Sequence, residues 1–367
     1  MHTDRTDEQV SCEMNPSRKD RRTPQERMKK QRTMGVILFV VALLLIAAFI
    51  GCFHLVGGRT KEDNSVNADQ VMEVIPPSPS YVLKTPVVEV TPVVEPEETP
   101  FLHETEQTII LDDDFPSKYA LLIDAESGEI LAEKNSYTLM NPASMTKVLT
   151  LLVAAENISD TSGTFTMTRE ISEYCFVNEC SVVGYIVGET VPIEELFYGC
   201  ILCSGADASL ALAELAAGSH EKFVELMNDK IKELGLSETA NFTNCVGLFD
   251  EQHKCTTADM ALIMKAALEN EKCKEIICTK LYYSVPTEQH PEGQVLSNWF
   301  VRSLEDEDNG VVKVLGGKRG YVPQSGCCAV SYGETESGQS FICVTGRSYS
   351  QKQAIYDHAA LYKKYCH

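Results

Sequence analysis

Hydrophobic positions along the chain divide it into three regimes. From Thr33 to Gly58 there is no charged residue, and Val36 to Phe53 is almost wholly apolar, a run long enough to cross a bilayer as a helix. From Arg59 to about Phe115 apolar residues are scattered among Pro, Glu and Thr without period. Beyond Pro116 the pattern becomes that of a folded domain. Tyr119 to Asp124 and Glu129 to Glu133 read as a hairpin about the turn Ala125-Glu126-Ser127-Gly128. Helices are expected after Pro142, over Thr190 to Ser204 with Pro192 near the start, over Asp207 to Ala217 up to Gly218, over Glu221 to Leu234, and over Thr257 to Leu268. Val311 to Leu315, Cys327 to Tyr332 and Phe341 to Thr345 are short β-prone runs, and Gln351 to Tyr365 is a closing helix. Strands at both ends with helices between them predict an α/β domain, its sheet built from the termini and its helical lobe inserted.

Arg27, Lys29, Lys30 and Arg32 precede the apolar run, and basic residues on that side keep it in the cytosol. Residues 1–33 are therefore read as a cytoplasmic tail, 34–58 as a single transmembrane signal-anchor helix, and all that follows as extracytoplasmic, which places the protein in the cell membrane. A cleaved signal peptide, or processing ahead of Cys52 in Phe49-Ile50-Gly51-Cys52, would leave the domain on the same side. The linker, 59–115, contains a short duplication, Thr85-Pro86-Val87-Val88-Glu89 and Thr91-Pro92-Val93-Val94-Glu95. Its prolines and mutually repelling carboxylates favour an extended chain of ~3 Å per residue, a reach on the order of 100 Å.

Composition narrows the function classes. With 44% hydrophobic and 23% charged residues the chain is globular in type, and its net charge of -21 argues against a nucleic-acid partner. Of 14 Cys, only Cys12 and Cys52 lie outside the domain. Cys175 with Cys180 and Cys273 with Cys278 are close enough in sequence to pair, but the apolar surroundings of Cys200, Cys203 and Cys343 favour buried free thiols. Cys200-x-x-Cys203 lacks a second pair at zinc spacing, so no metal and no cofactor are assigned. His253, His290 and His358 have no partner legible in the sequence and are read as surface residues.

The candidate chemistry sits at Asn141-Pro142-Ala143-Ser144-Met145-Thr146-Lys147. Asn141 suits an N-cap and Pro142 the first helical position, which puts Ser144 in the first turn and Lys147 on the same face, three residues on. The apolar run from Val148 to Ala155 buries this helix, and burial lowers a lysine pKa until the amine can take a hydroxyl proton. Ser219-His220-Glu221-Lys222 repeats the S-x-x-K spacing in a polar stretch and needs no catalytic reading.

Downstream lie Ser204-Gly205-Ala206 between two helical segments and Lys318-Arg319-Gly320 on a strand. Together the three boxes resemble the serine penicillin-recognising enzymes. More closely, Tyr119 to Asp124, Ser204 to Ala208, Asn241-Phe242-Thr243-Asn244 with Gly247-Leu248, and Gly317 to Tyr321 resemble the D-alanyl-D-alanine carboxypeptidase family of low-molecular-weight penicillin-binding proteins (peptidase S11 type). The resemblance runs from about Pro116 onward. It implies the β-lactamase/penicillin-binding transpeptidase-like fold, a peptidoglycan pentapeptide as substrate and β-lactam antibiotics as inhibitors. The family's second, β-rich domain and C-terminal amphipathic anchor find no room after the last strand, so the N-terminal helix is expected to serve as anchor.

By the same resemblance, Ser144 is the nucleophile and Lys147 its base, while Ser204 relays a proton to the leaving amine. Lys318, Arg319, Gly320 and Tyr321 are implied substrate-binding residues, with the backbone N–H groups of Ser144 and Tyr321 facing the oxyanion. Two boxes diverge. Ala206 stands where the family has Asn, a loss of about 1 to 3 kcal/mol or roughly ten- to hundredfold in rate. Arg319 stands where the family has Thr or Ser; its guanidinium can hold a carboxylate or fill the pocket. The expected activity is a penicillin-sensitive, membrane-anchored serine carboxypeptidase. A weakened homologue that binds peptidoglycan or β-lactam is the alternative, and a β-lactamase needs a deacylating carboxylate that is not identified between Ser204 and Lys318.

Overall fold

In the computed structural model the described residues are 101–367. The expected tail, membrane helix and most of the linker lie outside them. The first elements are β1 (Ile109–Ile110), β2 (Tyr119–Asp124), β3 (Ile130–Lys134) and a 3-10 turn, Ala143–Met145, that runs into α1 (Thr146–Asn157). The lobe follows with β4 (Thr164–Thr166), α2 (Arg169–Val177), β5 (Thr190–Pro192), α3 (Ile193–Leu202), α4 (Ala206–Ala217), α5 (His220–Glu233), α6 (Thr257–Glu269) and α7 (Glu271–Cys278). Then come β6 (Leu281–Tyr283), β7 (Val295–Ser297), α8 (Trp299–Glu305), β8 (Lys313–Val322), β9 (Gly326–Glu334), β10 (Ser340–Ser348) and α9 (Gln351–Tyr365).

The main sheet has the order β1-β3-β2-β10-β9-β8, so its centre joins a strand from each end of the domain. Every pairing is antiparallel except that of β1 with β3. Ala120, Leu121, Leu122 and Ile123 of β2 are all fully buried, which requires cover on both faces. Alternation sends Ala120 and Leu122 toward Phe300 and Leu304 of α8 and Ile355 and Tyr362 of α9. Leu121 and Ile123 enter the larger core, with Val148 and Leu152 of α1 and Met260 and Met264 of α6. Helix α1, apolar nearly all round, is thus the central rod of the lobe.

Three boundaries differ from the sequence reading. Residues 101–115 belong to the fold: Leu102 is buried, β1 extends the sheet, and Thr108 Oγ1 donates to the Ile130 carbonyl at 2.7 Å. Composition extended the linker over them because their few apolar residues lack period. The segment expected as one helix from Thr190 divides at Pro192, whose predecessors pair as β5 with β4 while α3 starts at Ile193. Strand β8 runs to Val322 instead of stopping at Leu315, and this carries Lys318, Arg319 and Gly320 along the open edge of the sheet. Ser219, from the second S-x-x-K match, caps α5 by accepting the Lys222 N–H at 3.3 Å.

Two histidines expected at the surface are buried. His358, on α9, is fully enclosed, with Ser331 Oγ 2.7 Å from Nδ1 and Thr345 Oγ1 3.0 Å from Nε2. Neutral hydroxyls satisfy a neutral ring, and burial pushes its pKa down to about 3. The unfolded ring, at the ordinary 6.5, takes a proton first as pH falls, so stability present above that value is lost progressively toward pH 3. Urea titrations are expected to show about 2 kcal/mol of this loss between pH 7 and pH 5, and a smaller loss in His358→Gln. Equal pH slopes in the two proteins would show that the ring protonates without unfolding.

Candidate active site

Ser144 lies in the 3-10 turn ahead of α1, so its hydroxyl stands at the mouth of the lobe and not within the regular helix. The N-cap position falls on Pro142 and not on the expected Asn141, whose Oδ1 orders the approach by accepting the Ala143 N–H at 2.9 Å. Ala143 has φ of +46°, a left-handed conformation that a residue with a Cβ adopts only under tertiary constraint. The constraint is visible at Gly247, whose own φ is +84° and where a Cβ would lie 2.1 Å from the Ala143 carbonyl oxygen. On the other side a Cβ at Gly320 would lie 2.8 Å from the Ser144 nitrogen and 2.9 Å from the Pro142 oxygen. Two glycines therefore let a loop and the edge strand close on the serine turn.

Lys147 is 2% exposed, and its Nζ lies 3.2 Å from Ser144 Oγ and donates to the Val246 carbonyl at 2.6 Å. Burial lowers its pKa, with a smaller opposing influence from nearby thiols such as Cys200, so the neutral amine needed to accept the serine proton is favoured. Across the cleft Lys318 Nζ donates to Ser204 Oγ at 2.9 Å and to the Arg319 carbonyl at 2.8 Å. It too is buried, and its pKa is driven well down by desolvation and then by the charges of Lys147 and Arg319. Ser204 is held with φ of +58°, after the end of α3 and just before α4. The structure thus joins Ser144 to Lys147 and Ser204 to Lys318 as two hydrogen-bonded pairs.

The remaining predicted residues sit differently. Ala206 opens α4, buried, with its N–H bonded to the Ser181 carbonyl at 2.8 Å. On β8, alternation gives Lys318 and Gly320 the serine side and turns Arg319 and Tyr321 to the other. The Arg319 guanidinium is half-buried over the Trp299 ring, 5.3 Å from its centroid, and among the described residues no carboxylate pairs with it. Tyr321 is 55% exposed at the strand edge.

Sequence reasoning missed the groups that hold the lysine's carbonyl partner. Asn244 Oδ1 accepts N–H bonds from Val246, Gly247 and Leu248 at 3.2, 2.7 and 2.9 Å, which folds this loop around one buried side chain. His253, read as a surface residue, is 1% exposed. Its Nδ1 accepts the Thr243 N–H at 3.1 Å, so Nε2 carries the proton and donates to Thr146 Oγ1 at 2.8 Å. Burial lowers its pKa to about 4. The signal available in the sequence was the run Asn241 to Leu248 itself.

The D-alanyl-D-alanine carboxypeptidase (Peptidase_S11) family model matches residues 105–346, more than half of the chain and all four paired side chains. The chain belongs to the D-alanyl-D-alanine carboxypeptidase family. It is 32% identical to the carboxypeptidase DacF of Bacillus subtilis over 234 residues, covering 63% of this chain and 58% of that one. Against DacA of Escherichia coli it is 35% identical over 161 residues, 41% of this chain and 38% of the relative. The chain therefore spans less than two thirds of these relatives. In fold it is similar to penicillin-binding protein 5 of Haemophilus influenzae, with a TM-score of 0.61 at 25% identity, covering 68% of this chain and 71% of that one. The Streptomyces K15 DD-transpeptidase gives 0.60 at 23%, covering 68% and 97%.

In this carboxypeptidase-family chain, Gly247→Ala is expected to lower the unfolding free energy by ~3 kcal/mol, through both the left-handed backbone and the collision with Ala143. Urea denaturation measures it. A change below about 1 kcal/mol would mean that the loop does not press on the serine turn.

Proposed function

We propose that the protein is a penicillin-sensitive serine D-Ala-D-Ala carboxypeptidase that trims peptidoglycan stem peptides through an acyl-enzyme on Ser144. The observation that carries this reading is the buried Lys147 amine 3.2 Å from Ser144 Oγ, faced by the bonded pair of Lys318 and Ser204. Neutral Lys147 takes the Ser144 proton as the oxygen attacks the carbonyl of the terminal D-Ala-D-Ala bond. The backbone N–H groups of Ser144 and Tyr321 receive the developing oxyanion. Ser204, bonded to Lys318, passes a proton to the departing D-alanine, and water then hydrolyses the ester. Lys318, on the serine side of β8, draws the substrate carboxylate, whereas the Arg319 side chain lies over Trp299 on the other face of the strand. A β-lactam follows the first step and remains on the serine.

The apolar run at 34–58 supports a single-pass anchor with its N-terminus in the cytosol and the domain outside, at the end of the extended linker. A linker of that composition gives the reach to bring the active site into the wall.

Full-length protein in detergent is expected to release D-alanine from a muramyl pentapeptide and to form a covalent benzylpenicillin adduct, and Ser144→Ala is expected to do neither. Folded protein that binds peptidoglycan yet gives neither product nor adduct would establish the non-catalytic reading instead. Deleting residues 1–58 is expected to move the protein from the membrane pellet to the soluble fraction of a cell lysate. Continued sedimentation with membranes would sink the anchor assignment.

A further inference from the structure

The loop beside the second box begins at a pair of cysteines that the catalytic reading does not use. Cys175 occupies the last turn of α2, and the N–H of Cys180 returns to the Cys175 carbonyl at 2.9 Å. This tight return sets the two residues against one cavity, with a single backbone turn between them. Both line a surface cavity of about 680 Å³ together with Phe176, Val182, Tyr185 and Asp207, and Cys180 is only partly buried, so a small reagent can reach it.

The same segment is tied directly to the catalytic cleft. The Ser181 carbonyl accepts the Ala206 N–H at 2.8 Å. Asp207 Oδ1 accepts Val183 N–H at 2.9 Å, and its Oδ2 accepts Gly184 N–H at 3.0 Å and Tyr185 N–H at 3.3 Å. Residues 181–185 therefore lie along the start of α4, two residues from Ser204, which is already in a left-handed conformation and bonded to Lys318.

We propose that Cys175 and Cys180 form a reversible redox site whose closure to a disulfide displaces the 178–185 loop and slows acylation of Ser144. The link to acylation rests on the functional reading above; formation of the disulfide does not. The oxidant is a small-molecule disulfide of the oxidised-glutathione class. The Cys180 thiolate attacks one of its sulfurs and expels one thiol; Cys175 then gives up its proton, attacks the Cys180 sulfur and expels the second. Two electrons and two protons pass to the reagent, and a dithiol reverses the sequence.

Among the described cysteines Cys180 is the one whose ionisation is eased, first by the Cys175 thiol and then by Lys147 against the cost of burial. Burial pushes the other spaced pair upward, Cys273 to about 12 and Cys278 to about 11. Those two also project from different faces of α7, five residues apart on one helix. Bond formation fixes the two sulfurs about 2 Å apart, and Cys180 carries Ser181 with it. Misplacement of a reacting group by about 1 Å costs on the order of a hundredfold, so a fraction of that shift at Ser204 is expected to slow acylation about tenfold.

The test uses full-length protein in detergent, treated with oxidised glutathione, alkylated and mapped by peptide mass spectrometry. A Cys175–Cys180 cross-link as the main product, reversed by dithiothreitol and absent in Cys180→Ser, is expected. A stable glutathione adduct without closure, or another pair as the main product, overturns the site. In parallel, labelling by a fluorescent penicillin is expected to slow about tenfold in the bridged protein, to recover on reduction, and to be insensitive to oxidant in Cys180→Ser. Unchanged labelling of fully bridged protein overturns the control of acylation. Absence of labelling in the reduced protein counts against the functional reading alone, since the map still decides whether the disulfide forms.

Discussion

The site depends on keeping water from one amine. Lys147 sits inside a lobe whose central helix is apolar on nearly every face, and its two polar contacts are Ser144 Oγ and the Val246 carbonyl. An ammonium has three hydrogens to satisfy and loses hydration worth several kcal/mol on burial. A neutral amine has two hydrogens and a lone pair, which two oxygens at this geometry can accommodate. Burial of α1 is thus both what stabilises the lobe and what favours the neutral form of the lysine amine, so packing and electrostatics are one constraint.

The rest of the domain brings three separate stretches of chain to that amine. The sheet supplies a rigid edge because its centre pairs β2 with β10, elements more than two hundred residues apart in sequence. Strand β8, at the end of that sheet, presents Lys318 and abuts the serine turn through Gly320. The lobe supplies Ser204 at the junction of α3 and α4, and the loop folded around Asn244 supplies the carbonyl. Gly247 and Gly320 meet the serine turn at backbone contact, whereas Ser204 is joined to the edge strand through the long Lys318 side chain.

Much of this was legible in the residues. The buried strand Ala120 to Ile123, the helix after Pro142 and the closing helix all carry strong apolar signals, and Ser144 with Lys147 stands out by spacing together with the apolar run after it, since the same spacing at Ser219 and Lys222 marks only a helix cap. Ser204 with Lys318 does not; the resemblance supplied the two residues in separate roles, and their hydrogen bond is a finding of the structure, because residues 114 apart have no local pattern connecting them. His253 and His358 were misread for the same reason, as each is satisfied by hydroxyls or an N–H from distant elements. Residues 101–115 were assigned to the linker because two-residue strands such as β1 have no period to detect.

Ala206 looks different in this setting. In the sequence it reads as a lost hydrogen-bonding side chain and hence as weakened catalysis. In the structure it opens α4, buried, and its N–H donates to the Ser181 carbonyl at 2.8 Å, so the position works through its backbone at the helix start. The Lys147 amine is held by the Val246 carbonyl and Ser144 Oγ. The second box therefore reaches the site through the Ser204 hydroxyl on Lys318, while the Arg319 cation lies over Trp299 on the other face of β8.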